Sequence, residues 1–430
     1  MGFQRDAIGP RWLQCSVKNY DWGKKGRDSI VARLYEMNSE GGMVLDRSYA
    51  EMWMGTHESG PSFIIDDDNH GRMAAIMTLK DWIRENPNVV GKKVIDNWGC
   101  DLPFMFKVLS VDKALSIQAH PNKELASVLH KMQPGLYRDG NHKPEMALAI
   151  TEFKALCGFI TLQELKDILI SVPEIAELVG RENTNLVLGI CDNVKEAKMK
   201  GFLRLIFTKF MTANKEIISG LIYKMKRRLT SADKIGMLTE KELLALELEK
   251  QYPGDVGVIS SFFFNYVKLN PGEALYLGPN EPHAYLSGEC IECMATSDNV
   301  VRAGLTPKFR DVKTLCSMLT YKQGFPEILK GVPVNNFTSR YTPPFDEFEV
   351  DSCLLPCRES VVFPAVPGPS IFVALRGEGD VRFDSSKENN VILEGDVLFV
   401  PEKTKIKITC SRSVGGLQLY RAGVNQRFFK

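Results

Sequence analysis

The sequence predicts a mainly β protein with a helical block set into it. Three observations carry that reading. Short apolar runs bounded by Gly, Pro and Asp recur in both the first and the last third of the chain. Residues 160–250 switch to a helical period. Two stretches, "NPGEALYLGPNEPHAY" and "LEGDVLFVPEKTKIKI", share a shape: Gly, an acid, alternating apolar residues, then Pro. That echo predicts two related β-modules. The first carries His283 after its turn, and the second has Lys403 and Lys405 where a ligand would stand.

In the first part, "GPSFIIDDD" and "LPFMFKVLSVDKALSIQAH" read as strands, rich in β-branched and aromatic residues. "TLKDWIRENP" reads as a short helix that Pro87 ends. "NKELASVLHKM" reads as another, capped by Asn122 with Glu124 in its first turn. Thr161 and Glu164 form a capping box before "LQELKDILI", and three further periodic segments follow it. From Val256 the pattern reads as strand again, through "GVISSFFFNYVKL" to the C-terminus. Many short strands with Gly/Pro turns predict a sandwich or barrel.

A chain of 430 residues exceeds one simple core and predicts two or three domains. The formal net charge of +1 provides no global field for nucleic acid or an anionic membrane. No stretch of 18 apolar residues suggests a membrane helix, and "MGFQRDAIGPRW" lacks the apolar core of a signal peptide. The ten cysteines form no framework, which fits reduced thiols in a cytoplasmic protein. "CIEC" (Cys290, Cys293) lacks the second pair of a tetrathiolate site, and Cys353 and Cys357 lack a partner His; both pairs read as structural thiols.

The chemistry gathers around "LSIQAHPNKE". Positions i and i+2 of a strand share a face, so Gln118 and His120 project together, with Ser116 and Ala114 behind them. Leu115, Ile117 and Ala119 face the other way. Glu145, in "NHKPEMALAI", begins an apolar strand, where an acid is costly unless paired or ligated. His283 enters a strand after a Pro-containing turn. Two imidazoles, a carboxylate and an amide oxygen suit a zinc-type ion with open positions. His57, His70 and His130 read as non-ligands, and His142 stays ambiguous. Downstream of His283 lie Glu292, Arg302, Lys308 and Arg310. Arg and Lys beside a metal suit a small phosphorylated metabolite. No phosphate loop or dinucleotide fingerprint follows a strand. Two alternatives stay open: a metal-dependent oxygenase, since two His and one carboxylate also hold ferrous iron, and a non-enzymatic sugar-binding module.

Five blocks, "NYDWGKKG", "AEMWMGTHESGPS", "LPFMFKVLSVDKALSIQAHPNKELA", "DGNHKPEMALAIT" and "NEPHAYLSGECIECMATSDNVVRAGLTPKFRDV", resemble type I mannose-6-phosphate isomerases. The resemblance implies a cupin-type architecture. Residues 1–158 and 253–330 would form a catalytic jelly-roll, 159–252 a helical domain, and 331–430 a second cupin-like module. It implies one zinc ion per chain, held by Gln118, His120, Glu145 and His283. Arg302, Lys143 and Glu292 would be catalytic, and Ser116, Lys107 and Lys308 would contact the phosphorylated sugar. The implied reaction interconverts mannose 6-phosphate and fructose 6-phosphate through a cis-enediol, in a cytoplasmic monomer. It would supply mannose for GDP-mannose and glycoconjugate synthesis, or serve mannose catabolism.

Overall fold

The protein is described here from a computed structural model, covering residues 9–39, 41–67, 73–190, 195–231, 236–384, 390–411 and 415–430. His70 and Cys191 lie outside the described residues. Most of the β-structure falls into a nine-stranded, an eleven-stranded and a four-stranded sheet. The long strand His283–Ala295 is the spine of the first module. Its start pairs with Phe153–Phe159 and touches Ile117–Ala119 at Gln118. Its second half runs between Glu145–Ala149 and Phe104–Val111.

The helical block stands where the period predicts it. The Thr161–Glu164 capping box is present, and a second, Thr239–Glu242, starts the helix Glu240–Gln251. Leu165, Ile168 and Leu169 bury one face, and Leu203, Phe207, Phe210, Leu221 and Ile222 join them in one core. That core is continuous with Ile117, Ala119, Leu156 and Phe264. The helices therefore pack directly behind the strand that carries Gln118.

The return to strand comes later than expected. Val256–Ser260 is a short helix and Ser261–Phe263 a 3₁₀ turn, so the strand begins only at Phe264. A short apolar run does not distinguish a buried helix from a buried strand. The decision is made by Asp255, whose carboxylate caps the helix at Gly257 N (2.6 Å).

The internal echo corresponds to repeated pairing. Glu145–Ala149 lies between Ala274–Leu277 and the spine; Ser370–Arg376 lies between Val397–Val400 and Leu417–Gly423. Both modules use the same turn. Gly272 (φ 85°) and Gly395 (φ 90°) sit in the left-handed region that favours glycine. The acid after each accepts a backbone N–H three residues back: Asn270 N to Glu273 and Leu393 N to Asp396. Aligning these turns corrects one expectation. The counterpart of His283 is Ile406, not Lys403 or Lys405, since each begins its strand. By the same pairing, Ser370 stands for Glu145, opposite Val400 as Glu145 is opposite Leu277. Phe363 stands for Gln118. Ile406 and Phe363 are buried in the second module's own core. Apolar packing has replaced the donor set there.

The N-terminal strand also crosses between modules. Arg11 and Trp12 pair with Phe399 and Leu398, while Leu13 and Gln14 pair with Ile64 and Phe63. No helix among the described residues is long and apolar enough to cross a membrane.

Candidate metal centre

Three buried side chains converge where the spine strand begins. His120, Glu145 and His283 are each at most 2 % exposed, and one ligand atom from each lies within 4.8 Å of the others. His120 Nε2 is 3.2 Å from Glu145 Oε1, and His283 Nε2 is 3.4 Å from Glu145 Oε2. Yet His120 Nε2, His283 Nε2 and Glu145 Oε2 have no hydrogen-bond partner. Each such buried orphan costs about 1–3 kcal/mol. A divalent cation at their meeting point would satisfy all three together.

The rings are aimed for that purpose. His120 Nδ1 lies 2.6 Å from the Asn299 carbonyl, and His283 Nδ1 lies 3.0 Å from the Glu281 carbonyl. A proton on each Nδ1 leaves the Nε2 lone pairs facing inward, the arrangement usual for metal-bound histidine. Burial first of all pushes the His120 imidazole down to about 4, keeping it neutral. Glu145 is 2 % exposed, which works against its charge, yet the Lys143 ammonium holds its carboxyl well below the usual carboxylate range. The donor set is therefore two imidazole nitrogens and one ionised carboxylate, which fits zinc.

Gln118 pairs across the strands with both His283 and Arg302, which brings its backbone beside this cluster. The period-2 reading around it needs one correction. The strand is only Ile117–Ala119. Ala114 does not lie on the ligand side; it is buried in the same core as Ile117 and Ala119. The residues before the strand are held by other partners, Ala114 N by Gln251 Oε1 and Leu115 N by Tyr285 O, so alternation does not apply to them. Ser116 does stay with Gln118, its hydroxyl donating to Oε1 at 3.4 Å.

Lys143 Nζ forms an ion pair with Glu145 Oε1 at 3.2 Å. Arg302 is half-buried, has no side-chain partner among the described residues, and its guanidinium is pulled down from its usual value by burial. Lys308 is exposed, on the loop after the strand Val301–Gly304. Arg310 donates to the Ala303 carbonyl.

Lys107 differs from its expected place on a phosphate. It is 6 % exposed, 2.8 Å from Glu292 and 3.2 Å from Glu51, with its ammonium over the Trp53 ring. Burial opposes its charge, but the two carboxylates outweigh that and raise its pKa. Glu292 is 4 % exposed, and burial raises its carboxyl above the usual range. Lys107 and Glu292 face one another across adjacent strands, which fixes the contact.

Sequence reasoning missed Tyr285. Its hydroxyl is buried without a hydrogen-bond partner, and its ring centroid lies 6.4 Å from that of His283. It stands two positions after His283 in one strand, so the alternation that linked Gln118 to His120 was the available signal. His142 is not a ligand: its Nε2 lies 2.6 Å from Glu347 Oε1, in the second module. His57 contacts Asp298 and His130 contacts the Tyr137 carbonyl. The nine described cysteines are all free, and all but Cys100 and Cys357 are buried.

Comparison with known proteins agrees with this geometry. The catalytic domain of type I phosphomannose isomerase matches residues 11–162, and the helical insertion domain of that family matches residues 178–264. Mannose-6-phosphate isomerase 2 of Arabidopsis thaliana is 59 % identical over 97 % of this chain and 94 % of its own length. The human mannose-6-phosphate isomerase is 40 % identical over 92 % of this chain and 95 % of its own. A mutant phosphomannose isomerase from Salmonella typhimurium superposes with a TM-score of 0.81 at 26 % identity, covering 97 % of this chain and all of its own. A mannose 6-phosphate isomerase bound with zinc and yttrium superposes with a TM-score of 0.80 at 26 % identity, again over 97 % of this chain and all of its own. The chain is an enzyme of the type I phosphomannose isomerase family.

Proposed function

We propose that the protein interconverts D-mannose 6-phosphate and D-fructose 6-phosphate using one zinc ion held by Gln118, His120, Glu145 and His283. The observation that carries this reading is the convergence of three buried, unpartnered donor atoms from His120, Glu145 and His283. The relatives' names supply the substrate pair, and the zinc-bound neighbour supports the choice of metal. The repeated strand pairing supports a cupin-type architecture: a catalytic module from residues 1–158 and 253–330, a helical domain at 159–252, and a second module at 331–430. Buried free thiols support a cytoplasmic enzyme, which we take to be a monomer. Its product would feed GDP-mannose synthesis, or its reverse flux would serve mannose catabolism.

The residues divide the work as follows. Bound zinc supplies a Lewis acid that favours negative charge on sugar oxygen. Arg302, with no carboxylate partner among the described residues, donates to the oxygen that becomes anionic as the cis-enediol forms. Lys143 carries the proton between the two carbons; its side chain is 12 % exposed, whereas Glu292 is closed in. Glu292 is held by Lys107 and orders the floor beside Tyr285. Ser116 and Lys308 hold the phosphate, Lys308 as an exposed point charge. The test is conversion of mannose 6-phosphate before chelation, after it, and with zinc restored. Loss and recovery of activity are expected. A zinc-loaded protein without activity would refute the assignment.

A further inference from the structure

Asp139 lies six residues before Glu145 in the chain and is not one of the clustered donors. Its carboxylate accepts four hydrogen bonds. Oδ1 accepts from Ser297 Oγ (2.8 Å), Asn141 N (2.9 Å) and Asn299 Nδ2 (3.2 Å). Oδ2 accepts from Asp298 N (2.8 Å). Asn299 Nδ2 also reaches the Asp139 and Asn141 carbonyls, at 2.7 Å and 3.1 Å. These bonds fasten residues 297–299 to residues 139–141. The first segment presents the Asn299 carbonyl to His120 Nδ1 at 2.6 Å. The second leads through Lys143 into Glu145. One carboxylate therefore joins the piece of chain that aims one ligand to the piece that delivers another.

We propose that Asp139 is a positioning residue of the metal centre and sets how long zinc stays bound. The proposal rests on the zinc reading above. A histidine ligand keeps its orientation only while the acceptor at its other nitrogen is fixed. The Asn299 carbonyl belongs to a loop, not a strand, and Asp139 takes three donors from that loop. Asp139→Asn keeps the shape but turns one acceptor oxygen into an NH₂ group facing an N–H or O–H donor. At least one bond is lost and a donor clash takes its place. Losing a group that itself orients a ligand costs about 10–100-fold in metal affinity, and Asp139, one bond further out, should fall at the lower end of that range.

The experiment uses the full-length zinc-loaded enzyme. Zinc release into excess chelator is followed with a colorimetric zinc indicator, and the cobalt(II)-substituted protein reports ligand geometry through its visible absorption. Asp139→Asn should release zinc about tenfold faster or more, and should shift the cobalt bands. Ser297→Ala, which removes a single donor to Oδ1, should raise the rate less. A lowered unfolding midpoint with unchanged zinc release and unchanged bands would leave Asp139 merely structural and overturn the proposal. If Asp139→Asn does not fold, Ser297→Ala decides, and an unchanged release rate overturns it. Wild-type protein that retains no zinc would overturn this inference and the zinc reading together. Wild-type retention with unaltered variant release overturns this inference alone.

Discussion

Lys107→Met removes the only cation among the described residues that lies within ion-pair distance of Glu51 and Glu292. The trio carries one positive and two negative charges, all on residues at most 7 % exposed. Methionine fills much of the same volume, so little cavity forms. The loss is electrostatic: two carboxylates stay buried with no cation between them. Breaking a buried pair in this way costs about 3–5 kcal/mol, a large part of a total stability of about 5–15 kcal/mol. The contact with the Trp53 face adds about 0.5–2 kcal/mol. Urea unfolding at neutral pH, with zinc held constant, measures the sum. Glu292→Gln in the Lys107→Met background should recover most of it, since a neutral trio member removes the uncompensated charge. The pH dependence has a definite sign. The Glu292 carboxyl is raised in the folded state, so the folded state binds the proton more tightly than the unfolded. Stability of Lys107→Met should therefore rise as pH falls from neutrality towards the unfolded carboxylate value, about 4.3. A loss below about 1 kcal/mol, or no recovery in the double variant, would refute an electrostatic role for Lys107.

Two further outcomes are expected. Lys308→Ala should raise KM for the phosphorylated sugar about tenfold or more, corresponding to about 1.4 kcal/mol or more, while changing kcat by less than about threefold; a large loss of kcat at unchanged KM would move Lys308 into the chemical step. Glu347 is held below the usual carboxylate range: burial acts against its charge, and the hydrogen bond and charge of His142 outweigh it, with Lys123 adding to them. Its contribution, about 1.5–3 kcal/mol for a charged hydrogen bond, is present above the unfolded value near 4.3 and lost as pH falls through the lower folded value. Glu347→Gln should lower unfolding free energy near pH 6 and converge with wild type in stronger acid; a constant difference at every pH would show that His142 does not sense the charge.

Much of this protein is set by local properties of the sequence. Helical period and the Thr161–Glu164 capping box depend only on neighbours three and four positions apart, and both stand in the structure. The donor types at His120, Glu145 and His283 were also legible, because an acid or imidazole on an apolar strand demands a partner wherever the strand goes. The repeat was legible through its Gly-acid turn, whose geometry a few residues determine. Other features depend on which distant segments meet. The resemblance implied a phosphate contact for Lys107, and only strand pairing shows Glu292, 185 residues away, beside it. His142 was ambiguous until Glu347, 205 residues on, arrived beside it. Arg11–Gln14 gave no sign that it would pair with Val397–Val400. The apolar run at Val256 fitted helix and strand equally until Asp255 capped it. Periods, caps and donor chemistry follow from residues near one another in the chain. Tertiary structure alone decided which buried charges are compensated, because that depends on partners far apart in the chain and close in space.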